Sequence, residues 1–342
     1  MRIVHRQAFK KRITTVLCIV LILSICRPSI YSQEYKTVKA QKGDGIYALL
    51  KKNGLPATYF KRFVALNKDL LGKNNTLIIG RTYQLPSGNF NASPRLVTKS
   101  IHKIFGKKYQ QVEILDAQLK GAVYYLISGH GGPDPGAIGK YDNHPLCEDE
   151  YAYDVTLRLA RNLMGHSAQV YVITQDKNDG IRNGSILKPD KDEVCYPNLK
   201  IPTNQKSRLQ QRSNAVNKLY LKHKGRFQRL IVIHIDSRSQ GENIDVFFYH
   251  DKRSKTGKKM ATNLQQTFNS KYRQYQPGRE YHGTVSTRNL YVINHSYPPT
   301  AFIELGNINN PRDKMRFIND NNRQALANWL TDGLIRDFKN NK

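Results

Sequence analysis

The stretch AVYYLISGHGGPDPGAIG, residues 122–139, decides the fold, because a strongly apolar run passes directly into a polar, glycine-rich turn. Two later stretches repeat the pattern of an apolar strand with one polar side chain near its end: RLIVIHID at 229–236 and PTAFIELG at 299–306. Amphipathic segments with helical spacing, such as YAYDVTLRLARNLM at 151–164, separate the strands. This alternation is typical of an α/β domain, so we predict a mostly parallel sheet wrapped by helices for residues 111–342.

Three of these strands deliver side chains that bind metals or carry protons. His130 follows the first strand, His234 lies near the end of the second, and Glu304 lies near the end of the third. Any one of them alone is more simply a buried core residue. Since the carboxyl ends of parallel strands meet at one edge of a sheet, where sites form in such folds, the three together predict a functional site.

Three consecutive acidic residues open the first helix of this domain. Glu148 alone shares the helix face of the apolar stripe, so we expect it to point toward the sheet and the site. For Asp149 and Glu150 a favourable interaction with the helix dipole is the simpler expectation. Two histidines and one carboxylate are a suitable ligand set for zinc, with a fourth position open for water.

The first 32 residues have the pattern of a secretory signal peptide. Basic residues precede an apolar run at 13–26, and small residues follow it near residue 32. The run is shorter than the about 20 apolar residues of a transmembrane helix, although an uncleaved anchor is an alternative. We therefore predict an exported protein of the periplasm or cell envelope, without stable membrane insertion after cleavage.

The charge of the chain predicts a polyanionic partner. Lys and Arg number 55 against 26 Asp and Glu, which gives a formal net charge of +29. A mean hydropathy of −0.61 argues against a multi-span membrane protein. Because an exported chain does not meet chromosomal DNA, an envelope polymer is favoured over nucleic acid.

Two cysteines, Cys147 and Cys195, remain after removal of the predicted signal peptide. An exported protein with two cysteines is compatible with one disulfide or with two free thiols. We predict a disulfide between them, which would hold the loop that contains Cys195 next to Glu148.

Residues 35–86 are predicted to form a separate unit with the order strand, helix, helix, strand. Its marked positions are Val38, Gly43-Asp44, Leu66-Asn67, Gly80 and Pro86. On these residues the segment resembles a LysM domain, a glycan-binding module. Gly45 departs from the family, which usually has Thr or Ser there, so the cap of the first helix is expected to be weak.

Polar, basic residues at 87–110 are predicted to be a linker between this unit and the larger domain.

The larger domain contains four motifs in a fixed order. GHGGPDPGAIG at 129–139 comes first, and Glu148 opens the following helix. Three further motifs follow: RSNAVN at 212–217, VIHID at 232–236 and PTAFIELGNINN at 299–310. In these motifs and in their order the larger domain resembles the zinc-dependent N-acetylmuramoyl-L-alanine amidases.

The resemblance implies the roles of four residues. His130, Glu148 and His234 match the zinc ligands, and Glu304 matches the catalytic glutamate. Glu150 is an alternative ligand. Two departures are Asp236, where the family often has Asn, and an inserted Pro- and Lys-rich loop at 181–206.

The function implied is hydrolysis of the bond between N-acetylmuramic acid and L-alanine in peptidoglycan, with Zn²⁺ activating water and Glu304 as general base. The alternatives are a non-catalytic wall-binding or regulatory protein and a zinc peptidase that acts within the stem peptide. Arg208 and Arg212 are candidates for holding stem-peptide carboxylates, although exposed positions on a helix are the simpler expectation. Peptidoglycan is the predicted partner, and the sequence makes no prediction of oligomeric state.

Overall fold

The computed structural model describes residues 35–41, 43–55, 59–72, 75–86, 99–237 and 243–341. The chain divides into two compact units, the first ending at Ala92 and the second beginning at Ser93. The predicted signal peptide at 1–32 and the first part of the predicted linker, 87–98, lie outside the described residues.

The smaller unit contains its elements in the predicted order. Strand β1 (Thr37–Lys39) pairs antiparallel with β2 (Thr82–Gln84), and helices α1 (Ile46–Lys52) and α2 (Phe60–Leu66) lie between them in sequence. Gly45 at the start of α1 provides no side-chain cap, as expected. The core of this unit is formed by Ala40, Ile46, Leu49, Leu50, Phe63, Tyr83 and Leu85.

Asn67 explains why the second helix ends where it does. Its Nδ2 donates to the Phe63 carbonyl at 2.9 Å and to the Gln84 carbonyl at 2.8 Å. Its Oδ1 accepts from the Gln84 N–H at 2.7 Å. One buried amide thus ties the end of α2 to β2, which gives Asn67 a structural role in this unit.

The larger unit begins before the predicted linker ends. Strand β3 (Lys99–Ile101) pairs antiparallel with β4 (Gln111–Glu113), and a 3₁₀ turn at Lys103–Phe105 connects them. Phe105 is fully buried in the core of this unit. The linker prediction of 87–110 is therefore wrong for its second half, because apolar residues there are buried in the fold.

A six-stranded sheet forms the centre of the larger unit, in the order β14–β13–β15–β12–β5–β8. The pairs β8–β5, β5–β12 and β12–β15 are parallel, and β13 runs antiparallel to β15. The predicted mostly parallel sheet is confirmed. The strands are β5 (Ala122–Ser128), β6 (Ile138–Tyr141), β7 (His144–Cys147), β8 (Gln169–Val172), β9 (Thr174–Gln175), β10 (Val194–Cys195), β11 (Leu199–Lys200), β12 (Phe227–Asp236), β13 (Phe247–His250), β14 (Val285–Thr287) and β15 (Thr300–Asn307).

Helices cover both faces of this sheet. Alternate residues of β5 enter two separate cores, with Tyr124 and Leu126 facing α3, α5 and α8, and Tyr125 and Ile127 facing α4 and α6. Within the described residues, no helix is long and apolar enough to cross a membrane. The helices are α3 (Glu148–Gly165), α4 (Gln205–Lys222), α5 (Lys255–Tyr275), α6 (Tyr291–His295), α7 (Pro311–Ile318) and α8 (Asp320–Lys339).

Cys147 and Cys195 are free and buried, so the predicted disulfide is wrong. Cys147 ends β7, where it pairs in register with Ile138, while Cys195 packs in the core on the α4 side of the sheet. Burial raises the pKa of each thiol to about 11. Each cysteine therefore serves as a small apolar core residue on its own strand.

Candidate active site

The glycine-rich loop after β5 contains His130 and packs tightly against the side chains of Glu148 and His234. A Cβ on Gly129 would lie 2.3 Å from Cε1 of His234, and a Cβ on Gly136 would lie 2.6 Å from Cδ2 of His130. The Gly136 Cβ would also lie 2.7 Å from Oε2 of Glu148. His130 itself has a φ of +61°, which L-residues rarely adopt. The loop sequence is thus dictated by the space around three polar side chains.

The structure brings His130, Glu148 and His234 together. Glu148 is the first residue of α3, and its Oε1 lies 2.8 Å from Nδ1 of His234. Its Oε2 lies 3.2 Å from Nε2 of His130. One nitrogen or oxygen from each of the three residues lies within 4.8 Å of those from the others. This cluster, which we call the triad site, is close enough for all three side chains to contact one metal ion.

Backbone donors fix the carboxylate at the centre of the triad site. Oε2 of Glu148 accepts from the Ala137 N–H at 2.9 Å, and Oε1 accepts from the Ile235 N–H at 2.9 Å. Burial alone would raise the pKa of Glu148, but hydrogen bonds with His130 and His234 hold that pKa well below its usual range. The group is therefore ionised at neutral pH, as a metal ligand must be.

The second ring nitrogen of His130 contacts Asp134, a residue that the sequence analysis did not single out. Nδ1 of His130 lies 3.0 Å from Oδ2 of Asp134, and Nη2 of Arg208 donates to the same oxygen at 2.7 Å. Burial lowers the pKa of His130, but the bonds to Asp134 and Glu148 outweigh it and raise the pKa to about 10. A carboxylate that orients the far nitrogen of a metal-binding histidine is a recurrent arrangement. The position of Asp134 in the quoted GHGGPDPG motif was the available signal.

Arg208 and Arg212 are buried, contrary to the expectation that they lie exposed on a helix. Both lie on α4 and face the glycine-rich loop. Arg212 donates through Nη2 to the carbonyl of His130, and burial lowers the pKa of Arg212 to about 10. Arg208 holds Asp134, as described above. The two guanidinium groups therefore support the loop that carries His130.

Glu304 lies beside His234 on the neighbouring strand. The register of β12 and β15 pairs the two residues, so their side chains leave the sheet on the same face. Phe302, two residues before Glu304, stacks on the His234 ring with centroids 4.4 Å apart. Burial lowers the pKa of His234 despite its contact with Glu148, so the ring is neutral at pH 7. Glu304 is buried, with Oε1 3.9 Å from Nη1 of Arg288.

Glu150, the alternative ligand, faces away from the two histidines. Its Oε2 accepts from Nη2 of Arg182 at 2.7 Å, and its Oε1 accepts from the Asp190 N–H at 3.1 Å. It belongs to a second carboxylate group, with Asp149 and Glu193. All three are buried, and burial raises the pKa of Asp149 to about 8 and that of Glu193 to about 7. A helix-dipole role alone does not account for these side chains.

The insertion at 181–206 packs directly on the glycine-rich loop. Its strands β10 and β11 form a small antiparallel sheet with β9. Oε2 of Glu193 accepts from the Gly132 N–H at 2.7 Å, and a Cβ on Gly132 would lie 3.1 Å from Cβ of Ile201. The insertion therefore forms one wall beside His130.

Comparison with known proteins identifies the family of this chain. The model of the N-acetylmuramoyl-L-alanine amidase family matches residues 125–336, which is more than half of the chain. The chain belongs to the N-acetylmuramoyl-L-alanine amidase family. The matched range contains all four predicted site residues.

Individual relatives are more distant. The germination-specific N-acetylmuramoyl-L-alanine amidase of Bacillus subtilis (strain 168) is 25% identical over 224 residues, covering 64% of this chain and 81% of the relative. An amidase structure from Clostridium difficile 630 has a TM-score of 0.47 at 21% identity, covering 64% of this chain and 98% of that one. An amidase structure from Mycobacterium smegmatis has a TM-score of 0.49 at 16% identity, and the match covers 65% of this chain and 99% of that one.

The amidase activity predicted from the sequence is confirmed by the family. The enzyme is a peptidoglycan hydrolase that cleaves the amide bond between N-acetylmuramic acid and L-alanine of the stem peptide. The larger unit contains the whole matched range, together with the triad site and Glu304.

Proposed function

We propose that this amidase is zinc-dependent, with His130, Glu148 and His234 as the ligands and Glu304 as the general base. The observation that carries the proposal is the position of the Glu148 carboxylate, whose two oxygens lie 2.8 Å and 3.2 Å from the two imidazoles. A buried carboxylate supplies one negative donor, and the two imidazoles supply two neutral donors once the ion displaces the proton that His130 holds, which is a frequent set for catalytic zinc.

The residues present fit such an ion. The glycines at 129 and 136 leave room beside the rings that any Cβ would fill, and the Asp134 carboxylate lies 3.0 Å from the far nitrogen of His130. Held by these three ligands, the ion would supply Lewis-acid polarisation of the amide carbonyl and a lowered pKa for the attacking water. Arg212 and Arg208 hold the loop in place, so the donors need no large rearrangement.

Glu304 is suited to move the proton. It lies on the strand next to that of His234 and on the same face of the sheet. Its carboxylate and the triad site can therefore act on the same amide group of the substrate. Glu304 would accept the proton of the attacking water and donate it to the leaving alanine nitrogen. Its burial keeps bulk water from competing for that proton.

The smaller unit is proposed to bind glycan strands as a LysM domain. The elements follow the order strand, helix, helix, strand, and Asn67 of the Leu-Asn motif closes the unit. Ile78 and Ile79 near β2 are 40% and 65% exposed, and Tyr47 on α1 is 49% exposed. Exposed apolar side chains of this kind offer a surface for the apolar faces of sugar rings.

Export is the third part of the proposal. The signal-peptide pattern at 1–32 and a substrate that lies outside the cytoplasmic membrane both favour action in the periplasm or cell envelope. The net charge of +29 favours accumulation on a polymer whose stem peptides carry carboxylates.

Product analysis tests the reaction directly. Purified enzyme is loaded with one equivalent of Zn²⁺ and incubated with peptidoglycan, and new amino termini and new reducing ends are identified by mass spectrometry. We expect free L-alanine amino termini on intact stem peptides and no new reducing ends. New amino termini within the stem peptide would instead identify a peptidase, and an inactive zinc-loaded enzyme would contradict the proposal.

A further inference from the structure

A second cluster of carboxylates lies outside the triad site, where the chain leaves β9 and enters the insertion. The segment DKNDG at 176–180 supplies Asp176 and Asp179, and PDKD at 189–192 supplies Asp190. One oxygen from each of these three side chains lies within 4.8 Å of those from the other two. No histidine or cysteine belongs to this group, which we call the aspartate cluster.

Asp176 is the most constrained member of the aspartate cluster. It is 7% exposed, and its Oδ1 accepts from the N–H groups of Asn178 and Asp179 at 2.8 Å and 2.6 Å. Its Oδ2 is buried and has no hydrogen-bond partner in the part of the chain that the structure describes. A buried carboxylate oxygen without a donor is costly, so this atom itself points to a missing positive ligand.

Asp192, two residues after Asp190, also has a carboxylate oxygen without a donor in the described chain. Its Oδ1 is also buried without a hydrogen-bond partner among the described residues, while its Oδ2 accepts from Nδ2 of Asn178 at 2.8 Å. The amide bond orients the Asn178 side chain toward the acidic segment. Two carboxylates from separate stretches of chain, both joined to Asn178, thus each have one buried oxygen without a donor from the residues that the structure describes.

The aspartate cluster has few ion-pair partners. Within the described ranges, the ion pairs of the aspartate cluster come from Arg182 alone, which contacts Asp179 and also pairs with Glu150. Burial, together with the charges of Asp179 and Asp190, raises the pKa of Asp176 to about 6, although the backbone hydrogen bonds from Asn178 and Asp179 lower it. One guanidinium is thus shared by two acidic groups, and the described residues form no ion pair with Asp176 or Asp190.

We propose that Asp176, Asp179 and Asp190 bind a divalent cation, Ca²⁺, with Asp192 and Asn178 completing the site. Ca²⁺ takes six to eight oxygen ligands from carboxylates, amides, carbonyls and water in flexible geometry. Zinc and other borderline metals prefer nitrogen and sulfur donors, which this cluster lacks. Mg²⁺ requires near-ideal octahedral geometry and keeps most of its waters, so it fits a loop-built cluster less well.

The site would connect the insertion to the catalytic loop. The cation would join the segment after β9 to the segment before β10, and Glu193 follows Asp192 directly. Glu193 accepts from the Gly132 N–H, two residues from His130. Calcium would therefore act as a structural ion that holds the wall of the active site, separate from the proposed zinc chemistry.

Binding is measured on the full chain loaded with one equivalent of Zn²⁺ after treatment with EGTA. Tyr153 provides an internal probe, since its hydroxyl accepts from the Asp176 N–H at 3.0 Å and its ring can sensitise Tb³⁺ luminescence. We expect Tb³⁺ luminescence that Ca²⁺ displaces, and a rise in Tm on addition of Ca²⁺. The expected Kd is about 10⁻⁴–10⁻³ M, as in extracellular calcium modules.

The variants Asp176→Asn and Asp190→Asn should each weaken Ca²⁺ binding by at least about tenfold, since each removes one charged ligand. Asp190→Asn is the safer variant for folding because its side chain is only half-buried. Asp251→Asn is the matched control: Asp251 also accepts from the N–H two residues on, at 2.8 Å, but lies outside the cluster. No Tm rise and no displaceable luminescence in the wild type would overturn the proposal. Unchanged Ca²⁺ affinity in Asp190→Asn would do the same.

Discussion

The two units of this amidase use buried polar groups in opposite ways. In the larger unit, Glu148, His130 and His234 are drawn together by contacts between residues far apart in sequence, and they face a site. In the smaller unit, the buried Asn67 only joins a helix to a strand, and the described residues there contain no group of three metal-binding side chains. The difference supports the proposed division of labour, in which the larger unit carries the chemistry and the smaller unit binds the polymer. Mutations in one unit should then leave the other property intact.

Loss of a histidine from the triad site should have the largest effect. His130→Ala or His234→Ala leaves two ligands, so zinc content should fall and hydrolysis of soluble and insoluble substrates should fall together. Turnover should fall by more than about 100-fold, because removal of a hydrogen-bond partner of a metal ligand already lowers activity by up to about that factor. Zinc is measured by atomic emission and turnover by release of stem peptides.

His166→Ala is the matched control, because Nδ1 of His166 also contacts an aspartate, Asp116, at 2.9 Å. That pair lies outside the triad site, so the variant should retain zinc and activity. Equal zinc in the wild type, His130→Ala and His234→Ala would refute the ligand assignment.

Asp134→Asn should have a smaller effect of the same kind. It keeps the shape of the side chain but removes the charge that orients His130 and pairs with Arg208. Zinc affinity or turnover should fall by about 10- to 100-fold. The control Asp116→Asn removes the equivalent partner of His166 and should change neither. An unchanged zinc affinity and turnover in Asp134→Asn would show that Asp134 does not position the ligand.

Deletion of the smaller unit, through Ala92, should have the smallest effect on chemistry. If residues 35–86 raise the local concentration of enzyme on the polymer, digestion of insoluble peptidoglycan should slow by about tenfold or more. Hydrolysis of a short soluble muramyl-peptide should stay within about twofold of the full chain. Equal losses on both substrates in a folded, zinc-loaded protein would mean that the smaller unit contributes to the active site.

The sequence predicted the positions of the site residues better than their surroundings. His130, His234 and Glu304 follow from strand ends, and Glu148 from the apolar face of its helix, because both patterns are local. The burial of Arg208 depends on Asp134, which is 74 residues away, and no local pattern shows such a contact. The disulfide prediction failed for the same reason. Cysteine count says nothing about whether two thiols occupy the same layer of the fold.

The acidic start of α3 shows most clearly what helical spacing in the sequence can and cannot predict. Helical spacing correctly separated Glu148 from Asp149 and Glu150, since only Glu148 contacts the histidines. It could not show that the other two are buried, because the insertion that covers them lies outside the helix. Arg182 of that insertion binds Glu150 from 32 residues away.

The most direct test of the central claim is the variant Glu304→Gln, with zinc content and turnover measured on the same preparation. The variant keeps the shape of the side chain and all three ligands, so we expect zinc equal to the wild type and turnover lower by about 10²- to 10⁴-fold. Glu113→Gln, an exposed carboxylate on β4, is the control and should retain full activity. Near-normal turnover in zinc-loaded Glu304→Gln would contradict the account and assign the proton transfer to another group.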